Sequence, residues 1–272
     1  GRGRSATFRQ MGHTRTIRSR SPVAGLQRAQ LTFTQVLGQS VSAVAPSAVM
    51  VTLPALVLPA ADHTTIAVFI LTALMMTAVG YCITQFSTRM VAVSGLYSYT
   101  VKGLGPVPGI AAGWSLVVGY AAAAMASALG AASYLATLLG RVGVPAGKPV
   151  IAGLTVLVGA AALILMVRGI RLSARISLAV ELFAIVVAGV VLMIAFGGAV
   201  TGSAASPKTV ADAPHSALGF ALLLAITSYV GFESASTVAR EAQRPFVTVT
   251  RAIRWTPLAL GALYTFAAVL QT

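Results

Sequence analysis

The stretch SYVGFESASTVAREAQRP, from Ser228 to Pro245, decides the fold because it interrupts an otherwise apolar segment. The residues before it, Leu218 to Ile226, carry no charge and are typical of a membrane-spanning helix. Gly231 and Glu233 then follow at what would be bilayer depth. An interruption at that depth is tolerated only where protein or a water-filled cavity supplies hydrogen-bond partners. We therefore expect a broken helix inside a membrane protein.

The composition of the chain sets its environment. Hydrophobic residues make up 57% of the sequence and charged residues 9%, and the mean hydropathy is +0.88, far above that of a soluble domain. Uncharged runs are long enough to cross a hydrocarbon core about 30 Å thick, which takes ~20 helical residues. Transmembrane strands would need segments of alternating polarity, and the sequence has none. We predict an all-α integral membrane fold with seven transmembrane helices, at Ala29–Ala61, Thr64–Thr88, Gly103–Gly140, about Pro149–Val167, Ile176–Val200, about Ser216–Ala239 and about Trp255–Thr272.

The basic residues predict the orientation, because Lys and Arg are retained on the cytoplasmic side. Of 19 basic residues, seven lie in the N-terminal tail, two between helices 2 and 3, three between helices 4 and 5, and four between helices 6 and 7. The opposite side has only Arg141, Lys148 and Lys208. We therefore expect a plasma (inner) membrane protein with a cytoplasmic N-terminus. The net charge of +14 follows from this topology, which argues against nucleic-acid binding.

Residues 1–30 are rich in Arg and Ser and contain no acid. We expect a disordered basic cytoplasmic tail, followed by a transmembrane transporter domain at 31–272. An organellar transit peptide has a similar composition and is the alternative, and Met11 is a second candidate for the start of the chain. The single cysteine, Cys82, lies within helix 2, so no intramolecular disulfide can form.

A second interruption lies in the first helix, at QVLGQSVSAVAPSAVM from Gln35 to Met50. Gly38, three polar side chains and Pro46 fall in mid-span, and Pro46 lacks an amide donor and clashes with the preceding turn. Broken helices at corresponding positions of two halves are typical of inverted-repeat transporters, which hold their substrate at the broken ends. We expect a five-plus-five fold in which helices 1–5 are the first repeat and helices 6 and 7 begin the second. A simple kink at Pro46 and a packing glycine at Gly231 are the alternative.

Three pieces of sequence resemble one known family. The residues from Gly231 to Pro245, G-F-E-S-A followed by an acid, a basic residue and a proline, are similar to the sixth helix of the amino acid-polyamine-organocation permeases. SGLYSYTVKGLGPVPGIAAGW, Ser94 to Trp114, resembles that family's entry to helix 3. RGIRLSARISLAVE, Arg168 to Glu181, resembles its connection between helices 4 and 5 and the start of helix 5. The resemblance covers about Leu31 to Trp255. Since the family has ten or more helices, it implies a C-terminally incomplete chain.

The resemblance implies a substrate site at the two broken helices. A broken helix exposes unpaired amides at one end and unpaired carbonyls at the other, with partial charges near half a unit. An amino acid zwitterion fits these ends, its α-carboxylate on the amides of helix 1 and its α-ammonium on the carbonyls of helix 6. Ser42 to Ser47 read SAVAPS where the family often has a Gly-Ser-Gly type run, which leaves the register of the carboxylate site open. The predicted binding residues are Ser42, Ala43, Val44, Ala45, Thr227, Ser228, Val230, Gly231 and Phe232, with Gly113, Ser115, Tyr120 and Met125 as further candidates for the side-chain pocket.

Two acids lie within the apolar spans, where an ionised group costs at least ~2.5 to 3.5 kcal/mol on insertion scales. Glu233 lies at the helix 6 break, and Glu181 lies about a turn and a half into helix 5. We predict that both act in gating or coupling. The alternatives are that Glu233 only accepts hydrogen bonds from amides freed by its own break, and that Glu181 reaches the cytoplasmic interface or pairs with Arg171 or Arg175.

The residues and the resemblance together predict a secondary active transporter that moves amino acids, or related amines such as polyamines, by alternating access. Either a proton or a sodium ion is expected as the coupling ion. We expect no enzyme activity, no cofactor and no metal, because no His, Cys or carboxylate cluster has metal spacing and no catalytic Ser/His/Asp set is evident. A seven-helix receptor or scaffold that transports nothing is the alternative, although such a receptor normally has its N-terminus outside.

Overall fold

The computed structural model describes residues 31–91, 94–143, 145, 147–168, 170–201 and 217–272, which form helices joined by turns. The one β contact among these residues is an isolated bridge between Leu31 and Ala242. The tail predicted at residues 1–30 lies outside the described residues. The helices are α1 (Phe33–Val44), α2 (Pro46–Ala61), α3 (Thr65–Ser87), α4 (Leu96–Leu104), α5 (Pro106–Arg141), α6 (Lys148–Val167), α7 (Ile170–Val200), α8 (Leu218–Thr227) and α9 (Pro245–Gln271), with short 3-10 helices at Asp62–Thr64 and Phe232–Ser236.

Six apolar helical stretches in the described residues are long enough to cross a membrane. The first, Phe33–Ser87, has 55 residues and would measure about 80 Å as a straight helix, whereas one crossing needs about 30 Å. It covers the first two predicted spans, which are separated at Asp62 by a positive φ of 44°. The other five stretches are Pro106–Arg141, Lys148–Val167, Leu172–Val200, Leu218–Ser236 and Pro245–Gln271. The prediction of an all-helical membrane protein is confirmed for this part of the chain.

Two helices begin earlier than the sequence predicts. α7 begins at Ile170 rather than Ile176, and α9 begins at Pro245 rather than Trp255. Apolarity marks only the part of a helix that lies in hydrocarbon, whereas the helix itself continues into the polar interface. Proline suits the first helical position because the amide it lacks would be unbonded there anyway.

The third predicted span, Gly103–Gly140, corresponds to one helix, α5, and a separate short helix, α4, precedes it. α4 has nine residues and ends at Leu104, and α5 begins at Pro106. Between them Gly105 turns the chain with a φ of +97°. α4 overlaps the predicted span only at Gly103 and Leu104, so it does not account for the length of that span. α5 still has 36 residues and is about 54 Å long.

The first helix is interrupted at Ala45. α1 ends at Val44, Ala45 has left-handed backbone angles (φ +52°, ψ +58°), and Pro46 is the first residue of α2. Proline disfavours helical angles at the residue before it and has no amide for the i−4 carbonyl, so the helix ends just before it. The left-handed region costs alanine about 1–2 kcal/mol, which packing around the interruption must offset.

The sixth predicted span, about Ser216 to Ala239, loses its α-helical form at Thr227. Turns follow as far as Gly231, whose φ of +103° is readily adopted only by glycine, and the 3-10 helix comes next. Further turn residues then lead into α9. α8 itself therefore has only 10 residues.

α9 packs along α3, and two glycines let these helices approach closely. A Cβ at Gly261 would lie 2.5 Å from the Cβ of Ala73, and one at Gly80 would lie 3.2 Å from a backbone carbonyl of α9. Small residues at such contacts are typical of membrane helices. Tyr229 and Tyr264 are fully buried next to this contact and meet edge to face, with ring centres 5.5 Å apart. This contact forms the centre of the molecule, whereas α6 has no buried residue.

The chain entering α1 is tied to the segment before α9. The Leu31 amide donates to the Glu241 carbonyl at 2.8 Å, and the Gln243 amide donates to the Leu31 carbonyl at 3.0 Å. Leu31 is 1% exposed. Backbone hydrogen bonds thus fix the start of α1 relative to the connection that follows the 3-10 helix.

Candidate functional site

The two interruptions meet at Gly231. A Cβ on this residue would lie 2.9 Å from the carbonyl oxygen of Ala43 and 3.1 Å from its Cβ, closer than side chains normally approach. The backbone of the sixth span therefore passes directly over the last turn of α1. Glycine meets two demands here, because the position has both a positive φ and no room for a side chain.

Ser40 joins the two interrupted segments through its hydroxyl group. Its Oγ donates to the Phe232 carbonyl at 2.9 Å and accepts from the Ala235 amide at 3.1 Å, and the residue is fully buried. Ser234 Oγ adds a bond to the Gln39 carbonyl at 3.1 Å. Sequence reasoning did not single out Ser40, although its polarity in the middle of an apolar span was a usable signal.

The amide made available by the first interruption belongs to Ser47. The Ala45 amide donates to the Val41 carbonyl at 3.2 Å, and Ala43 and Val44 lie within α1. The sequence therefore predicted the released amides about two residues too early. Helical hydrogen bonds persist up to the residue before the proline, and Pro46 itself has no amide to offer.

Glu181 occupies that amide. Its Oε1 accepts from the Ser47 amide at 2.6 Å, and the residue is 8% exposed. A carboxylate at a helix N-terminus is favoured both by the free amide and by the helix dipole. The predicted alternative partner Arg175 makes no ion pair with it in the part of the chain that the structure describes, and the side chain of Arg171 lies outside that part.

Of the carbonyls predicted to take an ammonium group, one is open. The Thr227 carbonyl accepts the Val230 amide at 3.2 Å, and the Ser228 carbonyl accepts the Tyr264 hydroxyl at 3.1 Å. The Val230 carbonyl accepts no hydrogen bond from any described residue. The acceptor that remains for a ligand is therefore that of Val230.

A cleft of about 400 Å³ lies between α4, α5 and the interrupted sixth span. Glu233, 8% exposed, reaches this cleft, where its Oε1 accepts the Tyr120 hydroxyl at 2.7 Å. The donor is a side chain of α5, so the carboxylate links α5 to the 3-10 helix rather than only accepting amides of its own break. The cleft is lined by Leu96, Thr100, Ala112, Ser115, Leu116, Gly119, Tyr120, Val230 and Glu233.

Only some of the predicted pocket residues reach this cleft. Ser115 and Tyr120 line it, whereas Met125 is 67% exposed and does not. Gly113 packs on the ring of Tyr97, where a Cβ would lie 2.9 Å from a ring carbon. Phe232 is buried towards Gly80 on α3. Ser42 has a buried Oγ without a partner among the described residues.

The wall contributed by α4 was not predicted. Leu96 and Thr100 are four residues apart on this short helix and so share a face. Polar residues interrupt the apolar ones in this helix, so its sequence does not mark it as the wall of a site. Among the described residues, no group of three or more His, Cys, Asp or Glu side chains could hold a metal ion.

These features describe a multi-pass membrane protein in which a mostly apolar cleft lies beside two interrupted apolar segments. The chain belongs to the amino acid permease family, because the model of that family matches residues 27–271. The resemblance to the amino acid-polyamine-organocation permeases is confirmed by this match. Searches among curated proteins and among solved structures found no match. Membership in the family supports a transporter of amino acids.

Proposed function

We propose that this permease is a secondary active transporter that moves an amino acid or a related amine across the plasma membrane by alternating access. The observation that carries the proposal is the cleft of about 400 Å³ beside the interrupted sixth span, into which Glu233 reaches. Its volume suits a small molecule, and its wall is apolar except at a few points. A small zwitterion or amine needs such a mixture of apolar wall and placed polar groups.

In this proposal the substrate ammonium group binds between the Val230 carbonyl and the Glu233 carboxylate. Both belong to the cleft, and the Val230 carbonyl has no other donor among the described residues. The α-carboxylate lies towards the end of α1 and the start of α2, near the predicted Ser42–Ala45 segment. Small residues along both segments leave room for backbone recognition.

The two interruptions support a five-plus-five inverted repeat, in which the α1–α2 break and the α8 break are equivalent. They lie in the first and sixth spans, five positions apart, as such a repeat requires, and each contains a residue in the left-handed region, Ala45 and Gly231. Alternating access then consists of movement of the first and sixth spans relative to the surrounding helices. The basic residues favour a cytoplasmic N-terminus.

Coupling is assigned to the two buried acids. Glu181 holds the first amide of α2 through a charge-assisted hydrogen bond at 2.6 Å. Proton or cation binding at this carboxylate would weaken that bond and free the Ser47 amide. Glu233 links α5 to the 3-10 helix through Tyr120. Breaking that link would separate the cleft walls, which is what a gate does.

The test is uptake by the purified full-length protein in proteoliposomes. A thermal-shift screen against the twenty amino acids and common polyamines first selects ligands, and radiolabelled uptake is then measured with and without a pH or sodium gradient. Ligand-specific stabilisation together with gradient-driven accumulation supports the proposal. A protein that is stabilised by none of these compounds and accumulates none would contradict it and favour the non-transporting receptor or scaffold.

A further inference from the structure

A second cleft, of about 250 Å³, lies between the end of α3 and α4, away from the site described above. It is lined by Gln85, Phe86, Arg89, Met90 and Lys102. Two cations thus line a small cleft whose other walls are apolar or neutral. We propose that this cleft binds the phosphate of an anionic phospholipid headgroup, with Arg89 and Lys102 as its ligands.

The charge balance of the molecule leaves both cations available. The sequence has only five acids, and four of them lie in the described residues. Their one ion pair joins Asp62 to His63, while Glu181 and Glu233 accept hydrogen bonds elsewhere. Neither Arg89 nor Lys102 therefore has an acidic partner in the part of the chain with described coordinates.

The position of the cleft fits a lipid headgroup. α3 is apolar over Thr65–Ser87, 23 residues or about 35 Å, which is long enough to cross the hydrocarbon. Arg89 follows two residues after that helix ends, at the level where headgroup phosphates lie. The exposed apolar side chains of α3, such as Val79 and Tyr81, continue from there towards the membrane interior, where acyl chains lie.

The helix before Arg89 and the helix that carries Lys102 are packed together beside the cleft. The rings of Phe86 and Tyr99 stack with centres 5.6 Å apart, which joins the end of α3 to α4. A Cβ at Gly103 would lie 3.3 Å from the Phe86 ring, so α4 approaches that ring closely.

The side-chain chemistry of Arg89 and Lys102 favours phosphate as the ligand. A guanidinium group can donate two parallel hydrogen bonds to phosphate oxygens, and an ammonium group adds a point charge. Basic pockets between membrane helices on the cytoplasmic side are typical sites for anionic headgroups, and this is the side that the basic residues predict for this end of α3. A competing explanation is that the cations only complement the negative C-terminal end of α3.

The experiment compares phosphatidylglycerol with phosphatidylcholine. The purified full-length protein is placed in nanodiscs of either lipid, its Tm is measured, and retained lipid is counted by native mass spectrometry. The double variant R89Q/K102Q is tested beside R141Q/K148Q, which removes two exposed cations elsewhere in the chain. We expect phosphatidylglycerol to stabilise the native protein and R141Q/K148Q, and its affinity for R89Q/K102Q to fall about tenfold or more.

The conservative variant R89K and inorganic phosphate complete the test. R89K keeps the charge but loses the bidentate geometry, so intermediate affinity is expected. Unchanged phosphatidylglycerol retention by R89Q/K102Q would overturn the proposal, as would an equal loss of Tm in both lipids, which is the result expected from helix-end charges alone. Stabilisation by millimolar inorganic phosphate equal to that by phosphatidylglycerol would overturn the assignment to a lipid. None of these measurements depends on the transported substrate.

Discussion

At Gly231 the backbone has a φ of +103°, and the carbonyl oxygen of Ala43 stands where a Cβ would project. The backbones of the two interrupted segments are thereby brought together, and the neighbouring Val230, whose carbonyl accepts no hydrogen bond from a described residue, lines the cleft. Two residues further on, Glu233 reaches the same cleft and accepts the Tyr120 hydroxyl. The geometry of the candidate substrate site thus depends on the lack of a side chain at Gly231 and on the carboxylate of Glu233.

Replacing Gly231 by leucine should abolish uptake while the protein still inserts into the membrane. The side chain would have to displace Ala43, and the positive φ adds a cost of about 1 kcal/mol or more. Uptake and Tm are measured together at matched surface expression. Gly219→Ala is the control, because nothing lies within 4 Å of a Cβ at that position of α8. If Gly231→Leu took up substrate with normal affinity, the sixth span would not be part of the substrate site.

Glu233→Gln should flatten the dependence of uptake on pH when rates are measured from about pH 4 to 8, because the variant has no ionisable group at this position. The amide keeps the shape of the side chain and can still accept from Tyr120, but it cannot titrate. Initial uptake rates across this range provide the measurement, with Glu241→Gln as a control acid outside the cleft. A pH profile and substrate preference identical to the native ones would show that Glu233 is only a structural acceptor.

At the scale of the helical elements, two contacts hold the first interruption in place. Ser40 joins α1 to the 3-10 helix through two hydrogen bonds, and Glu181 joins α7 to the start of α2. Both contacts bridge segments more than 130 residues apart in sequence. They offset the backbone cost at Ala45, so the interruption is maintained by partners outside its own helix.

Ser40→Ala should destabilise the protein by about 1–3 kcal/mol, because the Phe232 carbonyl and the Ala235 amide lose their partner in a buried place. For a chain of this size that corresponds to a fall in Tm of roughly 2–12 °C. The control is Ser133→Ala in α5, where the exposed hydroxyl bonds only to its own helix. Equal Tm values for the two variants would show that Ser40 does not hold the segments together.

Glu181→Gln should reduce concentrative uptake more than exchange. The amide oxygen can still accept the Ser47 hydrogen bond, but the side chain can no longer bind a proton or a cation. Uptake into vesicles with an imposed gradient is compared with exchange between equal internal and external substrate. If both rates fell by the same factor, the role of Glu181 would be structural and coupling would have to reside elsewhere.

At the scale of the whole molecule, the described helices enclose one buried centre around α3 and α9, while α5 and α6 expose apolar side chains over most of their length. The cleft that Glu233 reaches lies where α5 faces the sixth span. The start of the described chain is tied to the segment before α9 through Leu31. What precedes Leu31 lies outside the described residues.

Deleting Gly1 to Arg20 should leave transport intact, because the deletion ends well before the Leu31 hydrogen bonds. A longer deletion that includes Leu31 removes both of those bonds and should lower the Tm. Uptake and surface expression are measured for the two deletions side by side. Loss of uptake by the shorter one at equal expression would show that the tail is more than a charged anchor.

The sequence predicted those features that depend on local chemistry. Pro46 and Gly231 constrain the local backbone, so unusual backbone angles near both residues could be expected from the sequence, whereas the broken helices of an inverted-repeat fold stay a prediction. The partners of Glu181 and Glu233 could not be predicted, because Ser47 and Tyr120 meet them only through tertiary packing. The same applies to the wall formed by α4. The helix starts at Ile170 and Pro245 were missed because apolarity follows the hydrocarbon rather than the helix.

The length of α5 has a consequence for the position of its ends. Transmembrane helices rarely tilt by more than about 40°, and a helix about 54 Å long at that tilt still extends about 41 Å along the membrane normal. Since the hydrocarbon is about 30 Å thick, some 11 Å of rigid helix must stand outside it. These turns lie among the lipid headgroups, because the bilayer with its headgroup regions is about 40–45 Å thick, so their side chains face a polar interface rather than hydrocarbon.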